Sequence, residues 1–180
     1  NYLAQAGQSG TDPSGPGFAD AEDAAKTRID RLLSIEGTHP AEAFHRRLGR
    51  ILWERCGMSR NKAGLEQALE EIPALREEFW GGVRVPGTGQ EFNTALAEAG
   101  RVADFLEFGE LMCRDALERE ESCGGHFREE YQTPDGEAKR NDDAFSFVSA
   151  WAYRGPDTPP ERQTEPLAFE TLEVVTRSYK

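Results

Sequence analysis

Apolar residues recur at three- and four-residue steps over the first two thirds of the chain and at two-residue steps near its end. The first spacing gathers side chains on one face of a helix, the second on one face of a strand. Ala25, Ile29, Leu32 and Leu33 give a first stripe. Asp20 is expected to open that helix, with Glu22 and Asp23 beside the unpaired amides of its first turn, and the helix is expected to end near Gly37. His39-Pro40 begins a second helix, faced by Phe44, Leu48, Ile51, Leu52 and Arg55 and closed by Cys56-Gly57. Asn61 can cap a third, which carries Leu65, Ala68, Leu69, Ile72, Leu75, Phe79 and Trp80 and stops at Gly81-Gly82. Pro73 removes one amide donor inside it and predicts a kink. After a turn at 85–89, the stretch from Glu91 to Glu121 sets Ala95, Ala99, Val102, Leu106, Gly109 and Cys113 on one face. Phe92, Phe105, Phe108, Leu111, Met112 and Leu117 form a second flank, so this helix is expected to be central and contacted on two sides.

From Ser122 the period changes. Gly124-Gly125 and the turn at Thr133-Pro134-Asp135-Gly136 predict irregular structure held by polar contacts. Phe145, Phe147, Ser149, Trp151 and Tyr153 alternate with smaller residues, as do Leu167, Phe169, Thr171 and Glu173, which predicts two strands joined by a proline-rich loop over 155–166. At the other end, residues 7–17 have the glycine, serine and proline content of a flexible connector. The preceding Asn1 to Ala6, entering on Tyr2-Leu3 without a methionine, are expected to be the clipped end of an upstream helix.

Composition narrows the partners. Against 33 Asp and Glu the chain has 21 Lys and Arg, a formal charge of −12, which argues against binding nucleic acid or docking directly on anionic lipid. No apolar run approaches the length of a membrane span, so direct membrane insertion is not expected. Ten Phe, three Trp and four Tyr supply core anchors for one ordinary domain. Three cysteines, an odd number with no secretory leader apparent, are expected to be reduced thiols in a cytosolic compartment.

The search for chemistry is mostly negative. No glycine turn joins a strand to a helix in the way a phosphate cradle requires. His39 and His45 are six apart, unsuited to two ligands on one helix face, and Cys123 with His126 has a ligand-like spacing but no second pair. Cys56 and Cys113 fall on apolar faces and are expected as small core residues. The acid pairs Glu70-Glu71, Glu77-Glu78, Glu120-Glu121 and Glu129-Glu130 are expected as solvated helix-surface charge. The informative segment is Glu121 to Tyr131, where a helix end with two glycines delivers His126 and Arg128 two residues apart. An extended backbone there could aim both at an anion or a neighbouring carboxylate; the alternative is a satisfied polar network at a helix end.

The runs LGRILWERCGMSRN and EAGRVADFLEFGELMCRDALEREESCGGHFREEYQTPDGEA, with the final RSYK, closely resemble the C-terminal part of the flavoprotein subunit of succinate dehydrogenase and fumarate reductase. The resemblance covers essentially the whole chain. It implies a mainly α fold: residues 1–17 end a flavin-domain helix and linker, and 18–121 form a three-helix, spectrin-repeat-like bundle. Residues 122–180 then form an irregular tail that packs on the bundle and carries two short antiparallel strands.

It also implies that the complete subunit holds FAD, oxidises succinate to fumarate by hydride transfer to the flavin with an arginine as proton acceptor, and passes electrons through an iron-sulfur subunit to quinone. Those groups lie in flavin-binding and capping domains outside this sequence, so no catalytic, cofactor-binding or metal residue is assigned here. Ser122, His126 and Arg128 match the family motif and are expected to face the subunit's own flavin-binding domain, supporting the active site from behind. Arg128→Ala is accordingly expected to lower turnover or flavin incorporation more than it unfolds the helices. Cys123 and Gly125 stand where many members have Arg and Ala. The resemblance further implies that a membrane anchor subunit is a partner, with a place on the cytoplasmic side of the bacterial inner membrane. The RSYK tail favours the dehydrogenase over fumarate reductase or L-aspartate oxidase; a stand-alone acidic helical interaction module is the reading of a different class.

Overall fold

A computed structural model describes residues 14–89, 91–155, 158–172 and 174–175. Among these residues are five helices, α1 (Pro16–Ser34), α2 (Ala41–Arg55), α3 (Lys62–Gly82), α4 (Thr94–Glu118) and the single turn α5 (Asp142–Phe145). Four strands accompany them: β1 (His39–Pro40), β2 (Val83–Arg84), β3 (Phe147–Ala152) and β4 (Glu161–Pro166). The mainly α class holds, but the helix count exceeds a three-helix bundle, because the chain breaks at 35–40, 56–61 and 85–93 and leaves four separate long helices. Most of the connector expected over 1–17 and the whole RSYK tail lie outside the described residues.

Two compact units divide the chain. One takes residues up to Leu48 with Ala74–Glu107, the other Gly49–Pro73 with Phe108 onward. In the first, α1 begins at Pro16, earlier than Asp20, because proline suits the first helical position, where no amide bond is lost. Leu32 is its buried residue, and Arg28 on its outer side donates to the carbonyl of Gly100 and pairs with Asp104. Its end at Ser34 frees the chain for β1, which pairs in parallel with β2 through His39 with Val83 and Pro40 with Arg84. Gly37 makes this possible, since a Cβ there would overlap the carbonyl oxygen of Gly82. Phe44, Leu48, Leu75, Phe79, Val83, Ala99, Val102, Ala103 and Leu106 are buried, with Phe44 edge-on to Phe79 at 5.4 Å between ring centres. α4 begins at Thr94, later than the expected Glu91, and Asn93 caps it: its side-chain oxygen accepts from Leu96 N–H at 3.0 Å while its amide donates to the carbonyls of Pro86 and Thr88.

In the second unit Asn61 caps α3 as its position predicts, accepting from Gly64 N–H at 2.8 Å. Cys56, Leu65, Ala68, Ile72, Cys113 and Ala116 are its buried apolar residues. β3 and β4 pair antiparallel, Phe147 opposite Pro166 and Ala152 opposite Glu161. This relocates the second expected strand: the ladder uses the polar run 161–166, while Leu167, Phe169 and Leu172 beyond it stay exposed. Charge contacts, not apolar period, hold β4 in place. Arg162 pairs with Glu118 of α4 at 3.2 Å and lies over the Phe147 ring, and Arg154 pairs with Glu161 across the loop mouth. Trp151 of β3 donates its indole N–H to Asp115 at 2.7 Å, tying the hairpin to α4.

One face of α4 is buried as its small and branched residues predict, through Ala99, Val102, Leu106 and Cys113. The second flank departs from expectation. Phe105, Phe108 and Met112 are 42%, 60% and 43% exposed and Phe92 is 92% exposed; the His45 ring lies 5.6 Å from that of Phe105 and the β3–β4 hairpin stands beside Phe108 and Met112, so this flank is only partly covered.

Candidate functional site

The helix α4 ends at Glu118, and the segment that follows is closed on itself. Cys123 and His126 exchange both backbone hydrogen bonds across Gly124-Gly125, at 2.8 and 3.1 Å, a tight turn that requires Gly124 at a φ of +59°. Ser122 is fully buried and reciprocates with Arg128: its hydroxyl accepts from Arg128 N–H at 2.8 Å and donates to the Arg128 carbonyl at 3.1 Å. Residue 128 then runs parallel beside Arg60, between α2 and α3, with Arg60 N–H donating to Phe127 and Glu129 N–H donating to Arg60.

The Arg128 guanidinium, 1% exposed as a residue, points back at the open end of α4. Its Nη1 donates to the carbonyls of Ala116 and Leu117 at 2.9 and 3.0 Å, and its Nε donates to Glu130 at 3.1 Å. Those two carbonyls are among the four that a helix end leaves without partners, and a buried cation there also meets the negative end of the helix dipole. The Tyr131 ring lies 5.4 Å from the guanidinium carbon. Glu130 in turn accepts from Lys62 N–H at the start of α3. Burial pushes the Glu130 carboxyl up, but the bonds from backbone amides and Arg128 outweigh it and hold it below the usual range.

His126 donates Nε2–H to the Arg119 carbonyl at 2.8 Å. Burial, together with the charges of Arg60, Arg119 and Arg128 and against the bond to Arg119, lowers its pKa from 6.5, so it is neutral at neutral pH. The pairing of His126 and Arg128 foreseen from spacing therefore resolves as a satisfied network: the arginine takes two carbonyls and a neighbouring carboxylate, the histidine a third carbonyl. A pH dependence follows with a definite sign. The unfolded histidine titrates near 6.5 and the folded one below it, so the unfolded chain takes up the proton first as pH falls. Stability is complete above about pH 6.5 and is lost as pH drops through the folded value. The unfolding midpoint should fall between about pH 7.5 and about pH 5.5, and His126→Gln should remove part of that fall; an unchanged slope in the variant would refute the assignment.

Two features escaped the sequence. Glu121 is not solvated charge but 2% exposed, accepting from Arg119 Nε and Nη2 at 2.9 and 2.6 Å and from Asn141 N–H at 2.8 Å. Glu129 bridges Ser59 Oγ and Asn61 Nδ2, both at 2.9 Å, so it too fastens the segment to the α2–α3 connection. Both acids looked like members of surface pairs, and no spacing rule marks them out. Beside this network a recess of about 460 Å³ opens between α4 and the β3–β4 hairpin, lined chiefly by Phe108, Met112, Phe147 and Trp151 with Asp115 and Arg162.

FAD does not fit the glycine turns of the described residues. The turn at Gly87 is filled by the Asn93 side chain, which bonds two of its carbonyls, and the Gly124-Gly125 turn closes on its own backbone and opens no helix.

The chain is acidic and mainly helical, with a buried arginine at the end of α4 and a short β hairpin after it. Residues 45–179 match the family model described as fumarate reductase flavoprotein C-term, and the chain belongs to that family. It is 28% identical over 152 residues, 84% of its length, to the fumarate reductase flavoprotein subunit of Haemophilus influenzae, and 25% identical over 170 residues, 92% of its length, to the fumarate reductase flavoprotein subunit of Serratia sp.. It covers 24% and 27% of those two proteins, so it spans about a quarter of the relatives' length. The succinate dehydrogenase flavoprotein subunit of Bacillus subtilis is 22% identical over 148 residues, 82% of this chain and 24% of that protein. In fold the chain superposes on FrdA of Escherichia coli quinol fumarate reductase with a TM-score of 0.78 at 23% identity, over 96% of this chain and 28% of that one.

Proposed function

We propose that this chain is the C-terminal supporting domain of an FAD-containing subunit that interconverts succinate and fumarate, and that it supplies no reacting group itself. One observation carries the reading: the side chains here best suited to grip a dicarboxylate, Arg128 and His126, are already bonded to the chain's own carbonyls and carboxylate. Ser122, His126 and Arg128 act by holding residues 119–131 in shape, so that this segment can be presented to the subunit's own flavin-binding domain. The partly exposed flank of α4, with Phe105, Phe108 and Met112, supports a domain that is completed by other parts of its subunit. The iron-sulfur and membrane anchor subunits are its further partners, on the cytoplasmic side of the bacterial inner membrane.

We place the subunit with succinate dehydrogenases on the resemblance of its tail; the names of the Haemophilus and Serratia relatives favour the second reading, a fumarate reductase. Two assays separate these claims. The purified chain, incubated with FAD and desalted, should be colourless and inactive with succinate; a stoichiometric flavin band would overturn the supporting role. The full-length subunit in its complex should oxidise succinate with a dye acceptor faster than it reduces fumarate with a viologen donor, and the reverse order would establish the reductase.

A further inference from the structure

Trp53 in the last turn of α2 is 82% exposed and Met58 just beyond it is 91% exposed, although the other two tryptophans are half-buried. Gly57 stands between them in the chain and closes on α2: a Cβ there would come within 2.5 Å of the Trp53 carbonyl oxygen. The Arg60 guanidinium joins this turn to the segment described above, its Nε donating to the Gly57 carbonyl at 3.1 Å and its Nη2 to the Gly125 carbonyl at 3.4 Å. One guanidinium thus holds the Gly57-Met58 turn beside the Gly124-Gly125 turn, all within the second unit. Both glycines of the latter are exposed, and a Cβ on either would meet nothing within 4 Å. Gly124 needs its positive φ, but Gly125 has none, so neither backbone conformation nor crowding within this chain calls for glycine at 125. A bare backbone of this kind admits close approach from outside. The charges on α2 are equally uncommitted: Glu42 pairs with Arg46, whereas Arg50 and Glu54 at the same spacing make no ion pair among the described residues. Exposed tryptophan, methionine and arginine are the residue types that anchor protein interfaces.

We propose that Trp53, Met58 and the Gly124-Gly125 turn form one seat, occupied by the rest of the chain's own subunit: an apolar side chain of that part lies over the glycines, and a carboxylate meets Arg50. This rests on the reading of the chain as one domain of a longer flavoprotein subunit, and it names the surface through which residues 119–131 meet the flavin-binding part. Two observations select that occupant. The chain covers 24% and 27% of the two fumarate reductase relatives, so most of such a subunit lies outside it. The surface is also continuous, through Arg60, with the segment whose own polar side chains are spent on shaping it.

The test uses the full-length subunit without its partner subunits, treated with hydrogen peroxide in buffer and in urea, with methionine sulfoxide at Met58 read by mass spectrometry of the tryptic peptide 56–60. A seated Met58 should oxidise about fivefold or more slower in buffer than in urea, and a smaller difference would overturn the proposal. So would protection that appears only when the iron-sulfur subunit is added, or that is lost on dilution as a second copy leaves. Gly125→Leu has room within this chain and none beneath a seated neighbour, so it should raise the Met58 rate in buffer toward the rate in urea. An unchanged rate in that variant would overturn the place given to the glycine turn. Flavin absorbance of the same sample separates the seat from the reading beneath it: a protected Met58 without flavin keeps the seat and removes the flavoprotein, and a reactive Met58 with flavin does the reverse.

Discussion

Arg128→Ala is expected to destabilise this chain by about 3 to 5 kcal/mol, a large part of a typical domain's stability. The loss has three sources. The carbonyls of Ala116 and Leu117 lose their donor at a buried helix end, where a group left unpaired costs about 1 to 3 kcal/mol. Glu130 loses the cation that helps keep it ionised over the start of α3. The volume of a side chain only 2% exposed is left open beside Tyr131. Arg128→Lys should recover only part of this, because one ammonium on a flexible stem does not reproduce the fixed fork that reaches two carbonyls and a carboxylate together. Urea unfolding of the wild-type and variant chains measures the loss directly. In the full subunit, turnover per folded flavoprotein should then change less than the yield of folded protein. That order is opposite to the expectation from the motif alone, and a variant that stays as stable as wild type while its turnover collapses would restore that expectation.

The same residue shows where sequence reasoning reaches and where it stops. The apolar stripes of α2 and α3, the Asn61 cap, the stop at Gly81-Gly82 and the Thr133–Gly136 turn were all legible, because each depends on residues within a turn or two of one another. The direction of Arg128 was not. It depends on the meeting of residues 60 and 128, and nothing local announces that contact. The pairing of β1 with β2 escaped for the same reason, since His39 and Val83 are far apart in the chain and each strand is only two residues long.

Glu121 and β4 fail differently. Charge patterning treats every carboxylate as solvated, so a carboxylate that is buried by closing on Arg119 and the Asn141 amide looks like its neighbours. The period-two rule selected 167–174, whereas the ladder formed by 161–166 is stabilised by backbone pairing and by Arg162 against Phe147 and Glu118. Leu167 continues that ladder by one bond, its N–H donating to the Ser146 carbonyl, and the apolar residues beyond it are left facing outward. A buried stripe and an outward stripe carry the same pattern in sequence. The Phe105, Phe108 and Met112 flank of α4 makes this point again: the pattern marked a second apolar face, and these three side chains stay 42%, 60% and 43% exposed.

Phe79→Ala is the second large effect, about 3 to 5 kcal/mol, and it falls in the other unit. Phe79 has no exposed surface. Its ring stands edge-on to Phe44 of α2 at 5.4 Å and to Trp80 at 5.3 Å, and Arg31 of α1 lies 4.0 Å from the centre of the Trp80 ring. Truncation removes the transfer free energy of a whole ring and leaves a void between α2 and α3, and an aromatic pair of this geometry adds about 0.5 to 1.5 kcal/mol beyond its area. Phe79→Leu should cost about half as much, since a branched aliphatic group refills part of the space but cannot restore the edge-on contact. Because the ring partners of Phe79 are distinct from the groups bonded to Arg128, the double variant with Arg128→Ala should lose close to the sum of the two single losses. A double-variant loss well short of that sum in urea unfolding would show that the helix-end network and the aromatic core are energetically coupled, and would refute their independence.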